Sequence, residues 1–169
     1  LDGGSGNDNL TSRSLSGDHT LIGNYGNDRL TATGQIVDLD GGEGDDSLRA
    51  YGYINEEGSS SYLEEGAATL KGGEGSDAIN VESYFTADIE GGSNNDYIHI
   101  NRSGDIIAKG GDGNDDIWSS DSLNNKLYGG LGDDTIYIYL ANYIVYQSNS
   151  EHIVDKNNND ILDEISIHY

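Results

Sequence analysis

Cysteine, methionine and proline are absent from the 169 residues, and phenylalanine and tryptophan occur once each. Without cysteine the chain has no disulfide framework and no thiolate metal site. Basic side chains are scarce: 8 Lys and Arg stand against 31 Asp and Glu, a formal charge of −23. That balance excludes nucleic acid and anionic membranes as partners and makes cations the natural counterpart. No run approaches the ~18 apolar residues of a membrane span, so membrane insertion is not expected. No basic and apolar leader stands at the N-terminus. The chain starts at Leu1 inside a repeat, so it is expected to be cut from a longer protein that carries any targeting signal.

What the chain does have is glycine, 25 residues of it, in a recurring frame. The pattern Gly-Gly-x-Gly-x-Asp-x-(Leu/Ile) stands at Gly3–Leu10, Gly41–Leu48, Gly72–Ile79, Gly110–Ile117 and Gly129–Ile136. Weaker copies fill the gaps at Gly23–Leu30 (GNYGNDRL) and Gly91–Ile98 (GGSNNDYI). The sixth-position aspartates are Asp8, Asp28, Asp46, Asp77, Asp96, Asp115 and Asp134, with steps of 20, 18, 31, 19, 19 and 19 residues. A period near 19 is too short for a pair of helices and fits one coil of a parallel β-solenoid. The fold class is therefore all-β, expected as a right-handed parallel β-roll or β-solenoid.

Each letter of the frame has a mechanical role. Glycine takes positive φ and lets the chain turn sharply with its carbonyls inward. The result is a cup of oxygens. The aspartate adds a charged oxygen, and oxygen-only ligation is what a hard cation such as Ca²⁺ requires. The Leu or Ile two residues later begins a strand and points into the coil. Stacking brings successive aspartates to about 5 Å, where bare carboxylates repel by roughly 3 kcal/mol at an effective dielectric near 20. Cations between the cups would relieve that repulsion.

In these seven copies the sequence resembles the RTX (repeats-in-toxin) family of calcium-binding β-rolls over nearly its whole length. The resemblance implies that each Ca²⁺ lies between neighbouring turns, held by the sixth-position aspartates and by carbonyls of the glycine-rich residues. The implied ligands are, cup by cup, Gly3, Ser5 and Asp8; Gly23 and Asp28; Gly41, Glu43 and Asp46; and Gly72, Glu74 and Asp77. They continue with Gly91, Ser93 and Asp96; Gly110, Asp112 and Asp115; and Gly129, Leu131 and Asp134. About five to seven ions are expected. Family members carry motifs in tandem on both edges, whereas the intervening half-coils here lack them, so a single ladder on one edge is expected. Asn24 and Tyr25 in the second copy and Asn94 in the fifth depart from the pattern, although Asn tolerates the left-handed conformation.

After each cup the residues alternate, with the inward pairs Leu10/Ser12, Leu30/Ala32, Leu48/Ala50, Ile79/Val81, Ile98/Ile100, Ile117/Ser119 and Ile136/Ile138. A second strand enters the next cup through Leu21, Leu39, Leu70, Ile89, Ala108 and Leu127. So thin a core is expected to need calcium for folding. Residues 1–138 form the expected roll, with an insertion loop at about 51–65 carrying Tyr51, Tyr53 and Tyr62. Residues 139–169 form an expected degenerate coil and cap. Within it the acidic turn 155–164 (DKNNNDILDE) reads either as an eighth cup, with Asp160 in the sixth position, or as an EF-hand-like loop using Asp155 and Asn157.

The column one residue past the inward Leu or Ile reads Thr11, Thr31, Arg49, Asn80, His99, Trp118, Tyr137. It offers no sustained threonine ladder of the kind that binds ice. His99, Trp118 and Tyr137 should be neighbours, as a stacked sheet surface or as a patch for glycan or protein. His19, His99, His152 and His168 do not cluster in the sequence, and the abundance of acids makes no acid–base pair informative. The chain is expected not to be an enzyme; a polysaccharide-acting β-helix enzyme is the remotest reading. The leading expectation is a calcium-binding structural module of a secreted or cell-surface protein, acting as scaffold, spacer or assembly unit. The alternative is an adhesin or matrix module whose partner is a glycan, a cell surface or another copy.

Overall fold

In a computed structural model, the described residues are 1–14, 17–52, 66–122 and 124–139, together with the strands Tyr143–Tyr146 and His152–Asp155. They form two parallel eight-stranded sheets and no helix. One sheet contains β1 (Asp2–Ser5), β3 (Asp18–Tyr25), β5 (Ile36–Glu43), β7 (Ala67–Glu74), β9 (Thr86–Ser93), β11 (Asp105–Asp112), β13 (Asn125–Leu131) and β15 (Tyr143–Tyr146). The other contains β2 (Asn9–Arg13), β4 (Arg29–Thr33), β6 (Ser47–Tyr51), β8 (Ala78–Glu82), β10 (Tyr97–Asn101), β12 (Asp116–Ser120), β14 (Thr135–Tyr139) and β16 (His152–Asp155). Successive strands alternate between the two sheets, so each coil gives one strand to each, and equivalent residues pair in register, as Ile79↔Ile98↔Ile117↔Ile136 do. This is a β-solenoid.

The expected inward residues are buried, from Leu30 and Ala32 to Ile136 and Ile138 on one sheet and from Leu21 to Leu127 on the other. Only Leu10 and Ser12, in the first coil, are half-buried. The sequence reading missed a further inward column two residues earlier on the odd strands: His19, Val37, Ala68, Ala87, Ile106 and Asn125. Its polar members are satisfied across the two sheets. Ser12 Oγ lies 2.7 Å from His19 Nδ1, and Asn125 Nδ2 donates to Ser119 Oγ at 2.8 Å.

The insertion departs after Gly52 and returns at Gly66 without disturbing register, since β7 pairs with both β5 and β9. Tyr51 corrects the expected loop boundary: it belongs to β6, paired with Thr33 and Glu82, because its backbone completes the ladder on both sides. Tyr53 and Tyr62 lie outside the described residues. Tyr84 is fully buried, and its hydroxyl donates to Gly34 O at 2.9 Å across 50 residues of sequence.

Beyond residue 138, β15 and β16 add one strand to each sheet, with Asn125↔Tyr143 and Thr135↔His152. Asp155, expected to open an acidic turn, stands in β16 opposite Ile138. Asn157 and Asp160 lie outside the described residues.

Tyr84 therefore ties the turn between β8 and β9 to the turn between β4 and β5. Tyr84→Phe should cost about 1–2 kcal/mol, the loss of one buried hydrogen bond, and Tyr84→Ala about 3–5 kcal/mol through the cavity it leaves. Urea unfolding of the calcium-saturated chain measures both; equal midpoints for Tyr84→Ala and the native chain would refute the role given to this ring.

Candidate metal centre

All seven cups lie on one edge of the solenoid, each joining an odd strand to the following even strand. Asn24 and Asn94, the departures from glycine, both adopt φ 77°, a conformation that asparagine's short polar side chain tolerates. The first-position glycines Gly23, Gly41, Gly72, Gly91, Gly110 and Gly129 face inward and are buried. A methyl group on Gly110 would collide with Asp115 Oδ2 and with Gly129 O of the next coil, and the other five stand against their own aspartate in the same way. Gly3, in the first cup, sits against Asp8 Oδ2 with more room.

The aspartates form a ladder. Asp28 N–H donates to Asp46 Oδ1 at 2.7 Å, and Asp46 N–H to Asp77 Oδ1 at 2.7 Å. The same bond joins Asp8 to Asp28, Asp77 to Asp96, Asp96 to Asp115 and Asp115 to Asp134, at 2.7–2.8 Å. Every rung uses one carboxylate oxygen. The other, Oδ2 of Asp8, Asp28, Asp46, Asp77, Asp96, Asp115 and Asp134, is buried and has no hydrogen-bond partner among the described residues. An unpaired buried polar atom is costly, and an unpaired charge more so.

The remaining expected ligands are distributed differently. The third-position carbonyls carry coil-to-coil bonds: Gly26 N–H to Glu43 O (2.8 Å), Gly44 N–H to Glu74 O (2.7 Å), Gly75 N–H to Ser93 O (3.3 Å) and Gly113 N–H to Leu131 O (2.7 Å). Their side chains, and those of Ser5 and Asp112, point away from the aspartate row; those of Glu43, Glu74 and Asp112 are exposed. A second ladder went unnoticed in the sequence. At the fifth position, Asn7 Oδ1 accepts from Asn27 N–H (3.0 Å), Asn27 from Asp45 (3.2 Å), Asp45 from Ser76 (2.9 Å), Asn95 from Asn114 (2.8 Å) and Asn114 from Asp133 (2.9 Å). These bonds run in the opposite sense to the inner ladder. Their signal was visible as Asn or Asp in every fifth position but Ser76.

A hard cation fits the inner row. Each Oδ2 is a desolvated anionic oxygen, and from Asp8 to Asp115 the first-position carbonyl of the next coil stands beside it. No three acidic or imidazole side chains converge on a single point among the described residues. Carbonyls would therefore have to complete the six to eight oxygens calcium takes.

Burial pushes the carboxyls of Asp46, Asp77 and Asp115 up from 3.8 to about 6, and that of Asp96 to about 7. The N–H bond at Oδ1 opposes the rise and neighbouring carboxylates add to it. Asp134 is raised for the same reason, loss of water.

The RTX calcium-binding nonapeptide repeat matches this chain in four copies, over residues 16–35, 22–52 and 109–137. Those segments contain the cups of Asp28, Asp46, Asp115 and Asp134. Its repeats and its solenoid fit an RTX β-roll. No curated protein and no solved structure matches it.

A carboxyl that holds its proton more tightly in the folded chain stabilises the fold when protonated. The calcium-free chain should thus gain stability as pH falls from about 7 toward 3.8, and lose it as pH rises through that window. Protons and calcium compete for the same oxygens, so calcium affinity should fall in the same interval. Circular dichroism in chelator between pH 7.5 and 5 tests this; β signal that weakens on acidification would show that the buried row is not what limits the apo fold.

Proposed function

We propose that calcium ions sit in file along the cup edge, each between two coils, and that the chain folds on binding them. In this reading Asp8, Asp28, Asp46, Asp77, Asp96, Asp115 and Asp134 supply Oδ2, and the first-position glycines of the cups supply carbonyl oxygens. The third-position carbonyls of Ser5, Glu43, Glu74, Ser93, Asp112 and Leu131 are secondary candidates, because most already accept a backbone bond. The observation that carries the reading is the row of buried Oδ2 atoms without a partner. The module serves as a scaffold or spacer in a secreted or cell-surface protein, where millimolar calcium keeps it folded. No catalytic role is assigned, since the repeated acids turn inward and are not arranged around an open cleft.

The adhesin reading rests on the aromatic column. Trp118 and Tyr137 stack at 3.9 Å between ring centroids with 21° between planes, and Tyr97 tilts against the indole at 6.4 Å. With neighbours on both sides, the indole offers little open face to a sugar. Ring geometry thus favours the scaffold reading over glycan stacking.

Asp115→Asn separates ligation from architecture, because the amide oxygen can still accept from Asp96 N–H while the charge is gone. Calorimetric titration should show the loss of one or two ions relative to the native chain, since Asp115 borders two inter-coil sites. In chelator at neutral pH the same variant should be at least as well folded as the native chain, having shed a buried charge. Asp18→Ala, in an exposed position outside the cups, should leave stoichiometry unchanged, and Mg²⁺ should substitute poorly because it demands compact octahedral geometry. Unaltered stoichiometry in Asp115→Asn would refute the ladder.

A further inference from the structure

The outward surface of the β2–β14 sheet differs from the rest of the molecule. Its three outward positions per strand hold two of the chain's 31 acidic residues, Glu82 and Asp116, against three of the 8 basic ones, Arg13, Arg29 and Arg49. The opposite sheet presents Asp38, Asp40, Asp88, Glu90 and Asp105 outward. Within the acid-poor face the side chains are segregated along the solenoid axis. The first three strands carry mostly small residues and arginines, with Tyr51 the one aromatic among them, and Tyr97, Trp118, Tyr137 and Tyr139 occupy the last three. Aromatic and arginine side chains are those that dominate protein interfaces.

We propose that this face binds a second copy of the chain, face to face, with the two solenoid axes antiparallel. A two-fold axis along the strand direction sets β2 across β14 of the other copy, β4 across β12, β6 across β10, and β8 across itself. Positions along the strands are then kept, so small meets large: Thr31 faces Trp118, and Ser47 faces Tyr97. Charge meets its complement as well, with Arg29 facing Asp116 and Arg13 facing the Tyr139 ring. The other two-fold arrangement, with axes parallel, sets Trp118 on Trp118 and Arg49 on Arg49, and is disfavoured by both bulk and charge. Glu82 meets its own copy at the centre, and each brings a counter-charge, since Arg102 lies 3.7 Å from it. Seven strands about 4.8 Å apart and five residues long cover about 500–600 Å² per copy. The total of roughly 1,100 Å² lies at the lower end for a specific complex. A chain of −23 charge can approach its copy with least repulsion through this face.

The pairing of Arg29 with Asp116 makes the proposal testable. Within one chain these exposed residues stand four strands apart, about 19 Å, and cannot touch. Sedimentation velocity of the full chain in millimolar calcium should show a concentration-dependent monomer–dimer equilibrium. Arg29→Glu or Asp116→Arg alone should weaken dimerisation about tenfold, and the two together should restore it to within about threefold. A native chain that stays monomeric at every concentration overturns the proposal; if that monomer is retained on an immobilised acidic polysaccharide, the face belongs to a glycan instead. Dimers that the double exchange fails to restore overturn the antiparallel arrangement. Only the folded solenoid is required, so calcium-induced circular dichroism on each variant distinguishes a failed interface from a failed fold.

Discussion

The constraint on which the rest of this solenoid depends is a carboxylate buried inside a turn, with one oxygen bonded to the preceding coil and the other left over. Oδ1 of one aspartate takes the backbone N–H of the aspartate one coil back, which locks the vertical register at every cup. Oδ2 then has nowhere to go but inward, over the first glycine. That is why the first position tolerates no side chain, and why Leu or Ile two residues after the aspartate must point into the core. The architecture thereby concentrates desolvated charge in a file, and such a file calls for cations.

The cup edge is rigid in length and the other edge is not. From the inward residue of each odd strand to its aspartate the count is constant: Leu21 to Asp28, Leu39 to Asp46, Leu70 to Asp77 and Leu127 to Asp134 are each seven residues. The irregular steps of 20, 18 and 31 arise on the opposite edge, where the turns between even and odd strands lie. There the links between coils are backbone bonds and bonds to buried hydroxyls, such as Ser103 N–H to Ser122 Oγ, with no charged ladder to interrupt. A loop can be spliced in at Gly52 because the ladder bonds of β5, β7 and β9 close on either side of it.

Most of the architecture was legible in the sequence because the repeat is its own alignment: seven aspartates in phase set the coil, the edge and three inward columns. What escaped lacked a periodic signal. The column from His19 to Asn125 mixes imidazole, amide and small aliphatic side chains, so its burial shows only once both sheets are in place. Tyr84 is buried with its hydroxyl on Gly34 O, a relation that spans 50 residues and leaves no local trace. Of the acidic turn expected at 155–164, only Asp155 lies among the described residues, and it pairs with Ile138 in β16. Of the expected ligands, the aspartates and first glycines come together; the third-position side chains do not.

An interior so completely specified leaves the outward positions free, and they are used unequally. Acid accumulates where it serves the cups and on the sheet that carries Asp38, Asp40 and Asp88, while the β2–β14 face is nearly cleared of it. Loading the cup edge with divalent ions adds two positive charges per site, so about five to seven ions would offset roughly half of the formal −23. The long-range repulsion between copies falls by the same act that orders the strands. Calcium would therefore govern association twice over, by building the face and by lowering the field that keeps two such faces apart.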